Sequence, residues 1–164
     1  PISPFSSPFG YGDLADDNGA ITAIEAYFNH GHLYEQVDLP MDEDVRKRTL
    51  SGKTYPAYAY LEMLQKRRSK GRQFISAMQG FDAILTPTTT CTAPLVSEVD
   101  QSISPAHSTR PFNYLGLCGL RIPMGLADDG LPLGLQIVAR PHDEAMAVRV
   151  GNSLEKALPK IGRP

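Results

Sequence analysis

Along the first half of the chain apolar residues recur every three to four positions, while the second half gathers several of them into short unbroken runs. Between Ala20 and Asn29, Ile21, Ile24, Tyr27 and Phe28 share one helical face, and Gly31 stands where such a helix would stop. Asp42 to Leu50 begins acidic and continues with Arg46, Lys47 and Arg48, the charge order that a helix dipole favours, and Gly52 ends it. Thr54 is placed to cap a long helix reaching about Gln79, with Pro56 in its first turn. Its stripe of Ala57, Leu61, Leu64, Arg68, Gly71, Ile75 and Met78 predicts one packed face and one basic, solvated face.

Phe81 to Thr86 and Leu133 to Ala139 are too short and too apolar for typical helices and predict buried strands. Leu120 to Met124 is a third strand, weakened by Pro123 and joined to Leu133 through the turn Ala127-Asp128-Asp129-Gly130. Asp143 caps a last helix carrying Met146, Val150, Leu154 and Leu158. Strands flanked by helices give an α/β layer. Residues 1–19, rich in proline, glycine, serine and aspartate without a period, read as a loop or cut linker. Residues 20–164 form one unit, helical over 20–80 and strand-containing over 81–164.

Composition narrows the partners. Sixteen Lys and Arg against eighteen Asp and Glu leave a net charge of −2, so nothing draws the chain as a whole to nucleic acid or an anionic membrane. No stretch approaches the roughly 18 to 20 apolar residues of a membrane span. Cys91 and Cys118, without a CxxC spacing, suggest neither a disulfide framework nor zinc, which favours a cytoplasmic setting. The sequence opens on Pro1 rather than Met and reads like the middle of something longer, so truncation or processing is expected.

Several short patterns have a plainer structural reading. GxSxG and GxGxxG are absent, and Gly52-Lys53-Thr54 lacks the earlier glycine of a phosphate loop. Ser153 and Lys156 form an isolated SxxK spacing on an amphipathic helix. The basic stretch Lys66 to Arg72 has no interleaved aromatics, and His30 with His32 lacks a third ligand for a metal. Two segments hold more, Phe81-Asp82-Ala83-Ile84-Leu85-Thr86-Pro87-Thr88-Thr89-Thr90 and Pro111-Phe112-Asn113-Tyr114-Leu115-Gly116-Leu117-Cys118-Gly119-Leu120-Arg121-Ile122-Pro123-Met124-Gly125. A chain leaving a buried strand through Pro and Thr offers hydroxyls and backbone groups where α/β sheets bind ligands, or simply makes a rigid turn.

With the third segment Asp129-Gly130-Leu131-Pro132-Leu133-Gly134-Leu135-Gln136-Ile137-Val138, these resemble, in order and spacing, the characteristic segments of the amidase signature family. Arg46 to Leu50 with Gly52 resembles the family's Arg-rich helix, so the likeness runs from about Ala20 to Leu158. The resemblance implies the C-terminal part of the amidase-signature fold, a mixed β-sheet covered by helices. It implies a hydrolase that converts a carboxamide to a carboxylic acid and ammonia or amine, without a cofactor or metal.

Such enzymes use a Ser, a second cis-linked Ser and a Lys on a glycine- and serine-rich loop, and no segment here has that composition. The catalytic residues are therefore expected upstream, none in this chain, and this chain alone is expected to be inactive. The resemblance assigns pocket-wall positions to Thr88 and Thr89 and to Phe112 and Asn113. Arg48 matches an Arg that glutamyl-tRNA amidotransferase A subunits offer to a substrate carboxylate, a helix-surface Arg being the plainer alternative. Ala106 stands where those subunits carry an Asp for the glutamine amino group, which argues against that specialisation, and Cys118 replaces the family's proline after "GL". The expected partners are a small-molecule amide and the N-terminal remainder of the enzyme, with a homodimer as one candidate assembly. The other reading is a non-catalytic fragment or an interaction and recognition subunit.

Overall fold

The computed structural model describes residues 1–100 and 105–158, so the end of the predicted unit, 159–164, lies outside the described residues. In chain order the α-helices are α1 (Tyr11–Tyr34), α2 (Glu43–Ser51), α3 (Ala57–Ala77), α4 (Arg110–Leu115) and α5 (Glu144–Ala157). The strands are β1 (Ile84–Pro87), β2 (Cys118–Leu126) and β3 (Pro132–Ala139), in the order β1-β3-β2. Both pairings are antiparallel, Leu85 facing Ile137 on one side and Leu120 facing it on the other. The α/β expectation holds, with α5 on one face of the sheet, α1, α3 and α4 on the opposite face, and α2 packed against α1.

β3 is covered on both sides, and alternation along it sorts the core into two halves. Val138 joins Leu14, Ile21, Phe74, Met78, Ile84 and Phe112, while Ile137 and Ala139 join Ile122 and Ala147 against α5. Burial on both faces is why β3 reads as a continuous apolar run rather than an alternating one. Pro123 is tolerated because β2 is an edge of this sheet, and a register shift follows it between Pro123 and Gly125. The expected hairpin closes as Ala127 N–H donates to the Leu131 carbonyl and Gly130 N–H to that of Ala127, both at 2.9 Å.

Several expectations are corrected. Residues 11–19 are helix, the start of α1, because Leu14 and Ala15 are buried at 0% and 2% exposure and repay poor helix formers such as Gly12 and Asp16. Gly31 does not stop α1, which runs on to Tyr34. Thr54 does not cap α3; its hydroxyl donates to the Ser51 carbonyl, and Pro56 occupies the N-cap position. Leu61 on the supposed packing stripe is 64% exposed. The packed face of α3 carries Phe74 with Tyr60, Met63 and Leu64, followed by Met78, and it takes in part of the basic stretch: Lys66 and Lys70 pair with Asp17 at 2.8 and 2.9 Å, and Arg67 donates to the Tyr114 and Asn113 carbonyls. Asp143 caps α5 as expected, and Asp42, read only as part of an acidic start, caps α2 in the same way with its carboxylate.

Candidate functional site

The three segments that stand out in the sequence meet in the sheet. The first supplies β1, the second supplies α4 and β2, and the third supplies β3 between them. Gln136 in β3, 6% exposed, donates from Nε2 to the Thr86 hydroxyl at 3.1 Å and to the Ser108 carbonyl at 3.3 Å. One buried amide thereby fastens the exit of β1 to the approach to α4. A buried amide stays only where its hydrogen bonds are made, so this tie fixes both segments.

Just past β1, Thr88 N–H donates to the Gly134 carbonyl at 2.9 Å. A Cβ on residue 134 would lie 2.7 Å from Arg121 Nε and 2.8 Å from Thr88 Oγ1, so only glycine lets the two side chains close over β3. Thr88 Oγ1 is buried and has no hydrogen-bond partner among the described residues. Thr89 is exposed, with its hydroxyl donating to the Cys91 carbonyl at 2.8 Å. α4 ends at Gly116, φ 71°, whose left-handed conformation turns the chain into β2. Within α4, Phe112 is a core residue at 4% exposure, its ring beside Tyr11 and Phe74, whereas Asn113 is exposed.

A concavity of about 530 Å³ lies among α1, α2 and the start of α4. Arg48 lines it with His30, Tyr34, Thr49 and Arg110. α2 is set in place by Arg46, which is 6% exposed: its Nη1 donates to the Tyr34 and Gln36 carbonyls at 2.6 and 3.0 Å, its Nη2 to that of Leu39 at 2.8 Å, and its Nε to Glu43 at 3.0 Å. That clamp fixes the rotation of α2 and with it the direction of Arg48, two residues on. Arg110, which sequence reasoning passed over, stands immediately before the Pro111-Phe112-Asn113 segment and joins it to the Arg48 cavity. Its position at the head of that segment was the available signal. Among the described residues no three His, Cys, Asp or Glu side chains gather as metal ligands, and no helix is long and apolar enough to cross a membrane.

Residues 26–148, which hold both the sheet and the Arg48 helix, match the family model described as Amidase. The chain belongs to the amidase family. It is 36% identical over 134 residues to the A subunit of glutamyl-tRNA(Gln) amidotransferase from Acidobacterium capsulatum, covering 75% of this chain and 28% of that protein. The protein of the same name from Rhodospirillum rubrum is 38% identical over 132 residues, 74% of this chain and 26% of the relative. The chain thus spans about a quarter of the length of these relatives. The crystal structure of an amidase superposes with a TM-score of 0.81 at 23% identity, covering 91% of this chain and 36% of that one, which shows a common fold. Every sequence segment that suggested the amidase family lies within the matched region or at its margin.

Proposed function

We propose that this amidase-family chain forms part of the substrate-pocket wall of an enzyme that hydrolyses a carboxamide, with the nucleophile supplied by residues outside this sequence. The reaction breaks the amide C–N bond, forms a C–O bond and releases ammonia or an amine, with water supplying the oxygen and the protons. A covalent acyl-enzyme on an activated serine divides the reaction into two easier steps. Here the chain contributes position rather than bond breaking. Gln136 holding Thr86 and Ser108 is the observation that carries the reading, because it fixes the two pocket-wall segments to one strand.

In this reading the Thr88 hydroxyl, buried without a partner among the described residues, is a ready hydrogen-bonding group for the amide or its acyl chain. Thr89 and Asn113 lie at the exposed ends of the same two segments, and Phe112 supports them from the core. A second reading, the glutamine-hydrolysing component of an amidotransferase, is favoured by the names of the relatives. Against it stands Ala106, whose methyl group offers nothing to a substrate amino group.

The test is ammonia release from a panel of primary carboxamides, glutamine included, by the protein as its gene encodes it. Hydrolysis of amides that lack an amino group supports the first reading. Release from glutamine alone transfers support to the second, and a panel without any release would sink both.

A further inference from the structure

The side of α3 turned away from the core carries Tyr58, Leu61, Glu62, Gln65, Arg68 and Arg72, all exposed. Steps of three, four and seven residues set them on one stripe, opposite Tyr60, Met63 and Phe74, which face the core. Tyr58 and Leu61 open the stripe with large apolar surfaces at 68% and 64% exposure. The side chains of Glu62, Gln65, Arg68 and Arg72 make no hydrogen bond or ion pair with any described residue. Lys66, the residue a helix would pair with Glu62, is drawn to Asp17 instead.

The stripe is ordered along its length, apolar and acidic in its first half and cationic in its second. It is also symmetric about Gln65: Glu62 and Arg68 stand three residues to either side, Tyr58 and Arg72 seven. A second copy running antiparallel, related by a two-fold axis through Gln65, therefore brings its Arg68 and Arg72 to the Glu62 and Tyr58 of the first. The symmetry makes each contact twice. Arginine against a carboxylate and arginine over a tyrosine ring are both attractive. The same pairing carries Leu61 of one copy toward the concavity of about 460 Å³ on the other, which Leu64, Gly71, Ile75 and Leu115 line with Arg68 and Arg72. A parallel pairing would instead set Arg72 against Arg72, which is repulsive.

We propose that this face of α3 is a homodimer interface, in which two copies pack α3 against α3 in antiparallel fashion about Gln65. A cover supplied by another protein, or by the rest of the enzyme, has no use for a charge order that complements itself. The proposal is independent of what the enzyme hydrolyses. From Tyr58 to Arg72 the facing stretch is about 21 Å long, at the small end for dimers, so a dissociation constant on the order of 10 µM is expected.

The experiment is sedimentation equilibrium of the protein as its gene encodes it, from about 1 to 100 µM, where mass action moves such a dimer from mostly dissociated to mostly formed. Glu62→Arg and Arg68→Glu each place like charges together twice, and each is expected to raise the dissociation constant about 10-fold or more. Mixing the two variants in equal amounts is expected to recover dimers to within about 3-fold of wild-type affinity, because every cross-contact again joins opposite charges. Both side chains lie on the surface, and a circular dichroism spectrum checks that folding is untouched. A wild type that stays monomeric to about 100 µM overturns the proposal, as happens if the rest of the enzyme lies over this face. A dimer that either reversal leaves unchanged overturns it too, because the contact is then elsewhere. A mixture that remains monomeric refutes the antiparallel pairing.

Discussion

Around β3, where Ile137, Val138 and Ala139 are each at 0% exposure, the sheet region is fastened by apolar burial on both faces, whereas α1, α2 and α3 add to the apolar cluster of Leu14, Ile21 and Phe74 a set of contacts made by charged side chains. Arg46 reaches three carbonyls, Asp17 takes two lysines, and Glu35 accepts from Lys53 and Tyr27, both at 2.7 Å. Burial is nearly indifferent to direction, while hydrogen bonds and ion pairs demand it. The sheet therefore supplies cohesion. The helical layer supplies orientation, and the Arg48 and Arg110 cavity lies on that side.

The strongest way to break this contrast is to empty the centre of the sheet. Ile137→Ala removes a fully buried side chain that packs beside Ile122 and Ala147, and large-to-small changes at such sites cost about 4 kcal/mol. Denaturant unfolding of the variant is expected to show that loss with an unchanged dependence on denaturant concentration. A loss under about 1 kcal/mol would mean that the sheet is not where the cohesion resides.

Arg46→Met sharpens the other side. Methionine keeps an apolar stem of similar reach but removes the donors from the Tyr34, Gln36 and Leu39 carbonyls, for which a loss of about 2 kcal/mol is expected. The same variant frees the start of α2, so its effect on binding at Arg48 should exceed its effect on stability. Equal stability of Arg46→Met and wild type would show that packing alone sets α2.

The same contrast explains what the sequence disclosed. β1, β3 and the hairpin turn were legible because short apolar runs between Pro and Gly have few alternatives, while the acidic-to-basic charge order announces α2 and the Asp143 cap announces α5. The first turns of α1 were hidden. Gly12, Asp16, Asp17 and Asn18 are poor helix formers, and what compensates them, Lys66 and Lys70, comes from 49 and 53 residues away. α4 has six residues, too few to display a period. At the candidate site, Thr88 and Arg48 were found through family resemblance, while Arg110 was missed because only the folded chain brings it to Arg48. Gln136 was concealed in an apolar run, and its role depends on partners in two other segments.

The smallest expected effect tests the orientation role most cleanly. Burial raises the pKa of the Asp17 carboxyl, but hydrogen bonds and charge from Lys66 and Lys70 outweigh it, so the folded-state value lies below the usual 3.8. A carboxyl whose folded pKa is depressed adds stability above its unfolded pKa and loses it as pH falls through the folded value. Wild type should therefore lose part of its stability on acidification from about pH 5 through 3.8 and below, while Asp17→Asn should lose less over that interval. The difference at neutral pH should be about 1 kcal/mol or less, because Lys66 is 54% exposed although Lys70 is only 15%. Tyr114, which lies beside this cluster and whose phenol burial and the Asp17 charge push up to about 12, stays neutral throughout and leaves the window to the carboxyl. Urea titrations of both proteins at a series of pH values measure the two slopes. Parallel slopes would mean that Asp17 is as well solvated in the folded helix pair as in the unfolded chain, and that α1 is held against α3 by Leu14 and Ile21 without help from charge.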